Sequence, residues 1–505
     1  MGDSRGRMIM ENRTLFFGDN LQVIEERIPD NFFDLIYLDP PFNSNRNYNV
    51  LFKEGQVDST AQIQAFEDTW EWTPPTIRLF EALKENENPQ ISILMNSLYE
   101  IIRPTPMMAY LVNMTARLIP LRRVLKETGS IYLHCDPTAS HYLKIILDVV
   151  FGKQNFRNEI VWHYSGWNAK LNNSFNSRHD VVLFYVKSND QTFNSFSIPW
   201  NSVGEYIKVR KQKVNIDESG KKYVLSDAGG GKRVKRYLEE AMSYGRPIDD
   251  VWDIDKINNS STEGLGYPTQ KPEKLLERII KASSNEGDWI LDPFCGCGTT
   301  VAVAEKFNRN WVGIDISMQA VNVIKERMTS HYPELHINID GIPMDYESAE
   351  ALATKDKFAF QDWAITLVGA NPPSGVSKKG ADRGIDGIIL FREKTDYANP
   401  MLRKILVQVK GGGTSRGDVA KLKGDMERDN APMGILIILR EATSEMKREA
   451  ALAGEYKYSE ATSFPRIQIL SIHDWFDGLE VKIPSDKVNP FRKAKPKSDQ
   501  PSLLD

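Results

Sequence analysis

Phe32-Phe33-Asp34-Leu35-Ile36-Tyr37-Leu38 runs without a break into Asp39-Pro40-Pro41-Phe42, and this junction constrains the chain more than any other stretch. The apolar, partly β-branched run reads as a buried strand. The tetrapeptide then falls at the strand's carboxyl end, where open α/β sheets place their ligands. Two prolines fix φ and remove two backbone donors, so the turn is rigid and its carbonyls are free to accept hydrogen bonds. An acid and an aromatic ring bracket that turn. Together they can hold a planar group bearing an NH2: carboxylate and carbonyl accept its hydrogens while Phe42 stacks on its ring. A plain strand ending in an Asp-Pro turn is an equally open reading of the same four residues.

With 505 residues the chain is too long for one ordinary core, and two or three domains are expected. Lys and Arg number 64 against 68 Asp and Glu, a formal net charge of −4; this near balance leaves nucleic acid binding open, because binding depends on where the charge lies. Cys135, Cys295 and Cys297 are too few for a disulfide framework or a four-cysteine zinc site, and they fit a reducing cytoplasm. Residues 1–13 carry no signal-type apolar core and no run is long enough to span a bilayer, so no membrane segment is expected.

Upstream of the junction, Thr14-Leu15-Phe16-Phe17-Gly18-Asp19 reads as a strand and turn leading into a helix over Asn20 to Arg27. Asp19 and Asp39 thus both fall at strand ends. Downstream, the stretch from Asn43 through Phe66, Trp70 and Trp72 is expected to be irregular, either a lid or a surface loop pinned by aromatics. Apolar residues spaced by three or four predict a helix over Met107 to Lys126 with Gly129 as its stop, then a strand over Ile131 to His134, a helix over Ala139 to Phe151 and a strand over Val181 to Val186. This alternation argues for a doubly wound parallel sheet. His134 and His179 lie at or beside strands and read as packed, hydrogen-bonded residues.

Between Lys187 and Gly264 the periodicity stops. Lys208, Arg210, Lys211, Lys213, Lys221, Lys222, Lys232, Arg233, Lys235 and Arg236 gather there with Tyr206, Tyr223 and Tyr237. Such a set can neutralise phosphates and stack on bases, but taken alone it reads more readily as a solvated charged surface. Gly229-Gly230-Gly231 reads as a turn, since no apolar strand leads into it.

A second ligand loop follows. Trp289-Ile290-Leu291 leads into Asp292-Pro293-Phe294-Cys295-Gly296-Cys297-Gly298-Thr299-Thr300, a helix continues to Phe307, and the next strand, Trp311 to Ile314, ends at Asp315. Strand, glycine turn, helix and second acid in that order let a backbone approach a ligand while the acid meets ribose hydroxyls.

With both loops in place the chain resembles the S-adenosylmethionine-dependent DNA amino-methyltransferases. Asp39-Pro40-Pro41-Phe42 is similar to their catalytic motif and the Asp292 to Thr300 stretch to their cofactor loop. Tyr267-Pro268-Thr269-Gln270-Lys271-Pro272, Gly129 to Thr138 and Arg178 to Lys187 are further matches. The catalytic motif precedes the cofactor loop, the order of the β group. The resemblance implies a Rossmann-like sheet with a catalytic half over 10–187, a target-recognition region over 188–264 and a cofactor-binding half over 265–330. It implies double-stranded DNA as substrate, with RNA open, and a base flipped from the duplex. Asp39 and the Pro40 carbonyl would take its amino hydrogens, with Pro41 shaping the turn and Phe42 stacking. For the cofactor it assigns Asp19 to the adenine, Asp315 to the ribose, Thr269 and Lys271 to the methionine end, and Asp292, Pro293, Phe294, Gly296, Gly298 and Thr299 to the loop. The leading aspartate favours adenine N6 over cytosine N4.

Past a linker over 331–354, residues 355–480 form a second unit. A helix over Ala359 to Val368 precedes Gly384-Ile385-Asp386-Gly387 and Ile405 to Gly412, and two strands joined by a turn would bring Asp386 near Gln408 and Lys410. An acid, an oxygen donor and a lysine can bind Mg²⁺ and activate water against a phosphodiester. This resembles the PD-(D/E)xK nucleases of the Mrr-like restriction type, with Gln408 in place of the usual Glu and Asp382 as an alternative metal acid. Asp386 and Gln408 are the implied Mg²⁺ ligands. The tail over 484–505 is expected to be disordered. Three readings stay open: a methyltransferase fused to an endonuclease, a methyltransferase whose second domain only binds DNA, and a non-catalytic DNA-binding subunit. A homodimer and a separate restriction partner are compatible with each.

Overall fold

The computed structural model describes residues 10–41, 47–54, 57–67, 70–166, 171–227, 229–258, 261–267, 269–373, 384–393 and 401–488, with backbone alone for 47–54 and 57–67. The large sheet is built from β1 (Thr14–Phe17), β2 (Phe33–Leu38), β3 (Leu125–Cys135), β4 (Phe156–His163), β5 (His179–Val186), β6 (Val251–Asp253), β7 (Trp289–Asp292), β8 (Asn310–Asp315) and β9 (Asn338–Asp340). Their order is β6-β4-β5-β3-β2-β7-β8-β1-β9. Every residue of β1 and of β2 is buried, which explains continuous apolar runs in place of alternation: both faces of the sheet are covered.

Helices α1 (Asn20–Arg27), α2 (Pro106–Val124), α3 (Pro137–Leu147), α4 (Glu273–Ser283), α5 (Thr299–Lys306) and α6 (Met318–His331) supply most of that cover. Asp19 caps α1 by accepting from the Leu21 N–H at 2.9 Å, and Asp136 caps α3 through Ala139. The sheet is mixed and not all parallel. β5 runs antiparallel to both β3 and β4; among the described residues no helix intervenes between β4 and β5, and a parallel pair would need such a crossover. The beginning of β5 therefore lies at the edge where its neighbours end. At the same edge β7 sits between β2 and β8, the point where the chain turns from one half of the sheet to the other and where a ligand crevice opens.

Three local expectations change. Gly129 does not stop a helix: α2 ends at Val124 and β3 begins at once. Gly129 lies inside β3 near a register shift, where a Cβ would fall 2.6 Å from Leu125 Cδ1 and 2.9 Å from the Lys126 carbonyl, so a bulge holds the glycine. The stretch expected to be irregular contains an antiparallel pair, Asn47–Glu54 with Val57–Glu67. The linker over 331–354 is structured: it supplies β9 and the helix Tyr346–Lys355, with Arg27 bonding Asp340 at 2.5 Å.

Between β5 and α4 the basic region has its own small core of Trp200, Tyr206, Val224, Leu238 and Ala241, under the strands Asn215–Ile216, Lys222–Asp227 and Arg233–Tyr237. Gly229, Gly230 and Gly231 all have positive φ in the turn between the last two strands, a conformation that glycine adopts without a Cβ clash. β6, inside the same segment, belongs to the large sheet.

The carboxyl-terminal unit has α7 (Lys357–Leu367), β10 (Gly387–Glu393), β11 (Met401–Lys410), α8 (Arg416–Arg428), β12 (Met433–Ile438) and β13 (Ile467–Ser471). Its sheet order is β10-β11-β12-β13, antiparallel in the first pair and parallel thereafter. α6 meets α7, with Gln319 donating to Asn371 at 2.9 Å. Of the stretch expected to be disordered, 486–488 pairs with β10 through Arg392 N–H to Asp486 and Val488 N–H to Leu390; 489–505 lies outside the described residues. Among the described residues no helix is long and apolar enough to cross a membrane.

Candidate active site

The loop after β7 is tied down from three sides. Asp292, buried at the strand's end, accepts from the Phe294 N–H at 3.0 Å. Gly296 and Gly298 take positive φ, and a Cβ on Gly298 would lie 2.8 Å from Ile324, so α6 can approach only a glycine here. Gly296 N–H donates to Asp315 at 2.7 Å and Ser317 N–H to the same carboxylate at 2.8 Å. Pro293 offers its carbonyl to Asn20 at 2.7 Å. The buried guanidinium of Arg117 then bonds Asn20 at 2.6 Å and Asp19 at 2.9 Å. Behind the loop, the buried Arg327 reaches the Cys297 carbonyl at 3.2 Å and the Thr299 hydroxyl at 3.4 Å, and pairs with Glu273 at 3.0 Å. Phe294 is partly buried, and Cys295 and Cys297 are small buried loop residues.

Asp292 and Asp315 thus end two strands at one sheet edge, and Asp19 follows the end of a third by two residues. Burial pushes the Asp292 carboxyl up to about 7, with Asp39 and Asp315 adding repulsion. Burial also raises Asp315, to about 6, against three backbone N–H groups that favour its charge.

At the end of β2, Asp39 is held by the ammonium of Lys271. Lys271 is buried and also donates to the Thr269 carbonyl at 3.3 Å. Thr269 is exposed with φ of 64°. Gln270 clamps this turn by accepting from Leu265 N–H at 2.8 Å and donating to the Glu263 carbonyl at 2.7 Å. Pro40 is buried; the Pro41 carbonyl accepts from the Trp70 indole at 3.1 Å, and Arg117 lies over that indole. Phe42 and Pro268 lie outside the described residues.

Beneath Asp39, residues in or just beyond five strands meet in one polar cluster centred on the buried His134. His134, at the end of β3, is fully buried, with Nδ1 at 2.9 Å from the Tyr37 hydroxyl and 3.9 Å from Asp39 Oδ1. Its Nε2 lies 3.5 Å from Asp180 at the start of β5. Asp180 accepts from Tyr164, beyond β4, at 3.1 Å, and Lys256, beyond β6, lies 3.8 Å away. Burial lowers His134, as does Lys271 nearby. Burial also pushes Asp180 up, yet His134, Lys256 and Lys271 together hold it down at about 2.

Sequence reasoning missed Arg117, Asn20, Arg327 and Asp180 as parts of this site. Arg117, within the apolar stripe of α2, and Asp180, at the head of an apolar run, each carried the one available signal: a charge where the pattern calls for an apolar residue. In the basic region, Tyr206 is buried and bonds Gln212 at 2.7 Å, so it is a core residue. Lys235 pairs with Asp217 at 3.0 Å and lies over the Tyr223 and Tyr237 rings.

In the carboxyl-terminal unit two of the three candidate nuclease residues make hydrogen bonds to neighbouring elements. Asp386 accepts from the Val409 N–H at 2.6 Å and from Gln361 of α7. Gln408 is fully buried and gives its amide to Asp425 of α8 at 2.6 Å. Lys410 is partly exposed at the end of β11. Among the described residues no group of three or more His, Cys, Asp or Glu can hold a metal, and Asp382 lies outside them. For Mg²⁺ the described residues offer one carboxylate, Asp386, engaged by Val409 and Gln361, and the buried Gln408 Oε1, which has no hydrogen-bond partner.

The model of the N6/N4 DNA methylase family, described as DNA methylase, matches residues 33–326. A second model, described as NACHT-associated inactive Restriction Endonuclease 1, matches residues 374–466. The chain is 27% identical over 328 residues to the DNA adenine methyltransferase YhdJ of Escherichia coli, covering 64% of this chain and 85% of that protein. It is 28% identical to the type II methyltransferase M.EcaI of Enterobacter cloacae, covering 43% of this chain and 57% of the relative. It is 31% identical to the type II methyltransferase M.HpaI of Haemophilus parainfluenzae, covering 42% and 56%.

Proposed function

Because the chain belongs to the N6/N4 DNA methylase family, we propose that it transfers a methyl group from S-adenosylmethionine to the N6 amino group of an adenine flipped from double-stranded DNA. The observation that carries this reading is the carboxylate of Asp39, which binds an N–H donor, the Lys271 ammonium, beside the loop that begins at Asp292. An exocyclic amino group makes the same interaction with the same oxygen.

The donor set suits the cofactor. Beyond burial, Asp39 and Asp315 are close enough to raise the cost of ionising Asp292, and a cation seated among the three relieves that repulsion. S-adenosylmethionine, when bound, supplies an electrophilic methyl group on a positively charged sulfur. Asp315 accepts from ribose hydroxyls and Asp19 from the adenine amine, while Gly296 leaves room for a backbone approach. An exocyclic nitrogen is a weak nucleophile because its lone pair is delocalised into the ring. Asp39 and the Pro40 carbonyl take its two hydrogens and aim the lone pair at the methyl carbon, so positioning and fixed charge do most of the work. The leading aspartate of the motif and the adenine specificity in the name of the Escherichia coli relative support adenine, and the type II relatives support a restriction-modification setting.

For the carboxyl-terminal unit, the engagement of Asp386 by Val409 and Gln361 favours a restriction-nuclease-like domain that contacts DNA without cleaving it. Purified protein incubated with labelled S-adenosylmethionine and duplex DNA tests the main reading. Label enters the DNA, and Asp39→Ala abolishes its entry; label that enters equally with Asp39→Ala contradicts the role of Asp39.

A further inference from the structure

Methyl transfer to an amino group leaves one proton to be removed. The carbon–sulfur bond breaks with its electron pair going to sulfur, a carbon–nitrogen bond forms, and the nitrogen gives up an N–H proton to stay neutral. Asp39 is the acceptor on that nitrogen, and the proton would leave it neutral and unable to serve another turnover. We infer that His134, backed by Asp180, takes this proton from Asp39, so that Asp39 returns to its carboxylate and the charge is passed away from the target base. The inference rests on the methyl-transfer reading above.

The geometry runs in one direction. His134 Nδ1 is 3.9 Å from Asp39 Oδ1, a gap that the Tyr37 hydroxyl, 2.9 Å from the same nitrogen, bridges for the proton, and its Nε2 is 3.5 Å from Asp180. The imidazole is fully buried, and its ring meets Tyr37 and Trp162 edge-on, so it is fixed between the two acids. Asp180 supplies the negative charge that an imidazolium needs, and Tyr164 and the half-exposed Lys256 connect it toward solvent. The groups facing His134 are Tyr37 and Asp39 of the β2 end, Lys271, and Asp180. Of these Lys271 opposes its protonation. Burial opposes protonation of His134 as well, and Asp180 and Asp39 favour it. The antiparallel run of β5 is what brings Asp180 to this edge. His134 and Asp180 are positioning residues, acting through Asp39.

The test uses the full chain under single turnover, with saturating S-adenosylmethionine and DNA, across pH 5.5 to 9. The wild-type rate falls on the acid side as His134 becomes protonated, and it slows in deuterium oxide. His134→Gln and Asp180→Asn lower the transfer rate by about 100-fold, and His134→Gln removes the acid limb, while S-adenosylmethionine binding is retained. A variant that binds S-adenosylmethionine normally and keeps the wild-type rate and pH profile overturns the inference. So does a wild-type rate unchanged in deuterium oxide, a result that stands even where a variant does not fold. Wild-type protein that transfers no methyl group overturns the methyl-transfer reading as well; wild-type transfer with unaffected variants overturns the relay alone.

Discussion

Gly296 donates its backbone N–H to the carboxylate of Asp315 across 2.7 Å, so the glycine loop after β7 and the end of β8 share one acid. Ser317 N–H shares it too, at 2.8 Å. Asp315→Ala leaves both donors without that acceptor and is expected to cost about 2 kcal/mol of stability. It also removes the proposed ribose contact. Calorimetry with S-adenosylmethionine checks this: affinity falls at least tenfold, whereas unchanged affinity would separate Asp315 from the cofactor.

Asp292 makes stability depend on pH in an unusual direction for a carboxylate. Its folded pKa, about 7, stands above the unfolded 3.8, so the folded state binds the proton more tightly. The stabilisation is complete below the unfolded value and is lost as pH rises through the folded one. Within that window the slope approaches about 1.4 kcal/mol per pH unit. The free protein should therefore melt higher at pH 6 than at pH 8, Asp292→Asn should flatten the difference, and cofactor binding should release protons. Parallel melting curves at both pH values would refute this account of Asp292.

Lys271 balances the charge of Asp39 from a buried position. Lys271→Met keeps the bulk and removes the ammonium, leaving a carboxylate in a site that also holds Asp292. Methyl transfer is expected to fall by about 100-fold or more, since positioned charge at the reacting centre is worth that much. Rapid-quench measurement of labelled DNA decides it, and a rate within about threefold of wild type would contradict it.

Much of this site was legible from local signals. A strand buried on both faces and a proline-fixed turn announce Asp39 within eleven residues, and strand, glycine turn and helix announce Asp292 to Thr300. What was not legible depends on distance or direction. Lys271 meets Asp39 across 232 positions, and spacing carries no trace of that pairing. Asp180 reaches the site because β5 runs antiparallel to its neighbours. In the carboxyl-terminal unit the spacing of Gln408 and Lys410 put them on one strand face, but Asp386 precedes its strand and its carboxylate accepts from the Val409 N–H and from Gln361 of α7, engagements that spacing does not reveal.

Gln408 therefore offers a test of the second unit. Gln408→Glu restores the acid of a PD-(D/E)xK set, yet it sets a carboxylate against the buried Asp425, itself paired with Arg428 at 2.8 Å. Destabilisation of about 2 kcal/mol or more is expected, with no Mg²⁺-dependent nicking gained. Cleavage of supercoiled plasmid by wild type, lost in Asp386→Ala, would instead establish a working nuclease.

Asp39 and the loop at Asp292 are proposed to carry out methylation of adenine N6. Mass spectrometry of nucleosides from duplex DNA incubated with the protein and labelled S-adenosylmethionine measures this directly. Labelled N6-methyladenine that disappears with Asp39→Ala is the predicted result; labelled N4-methylcytosine alone, or no labelled nucleoside at all, would contradict it.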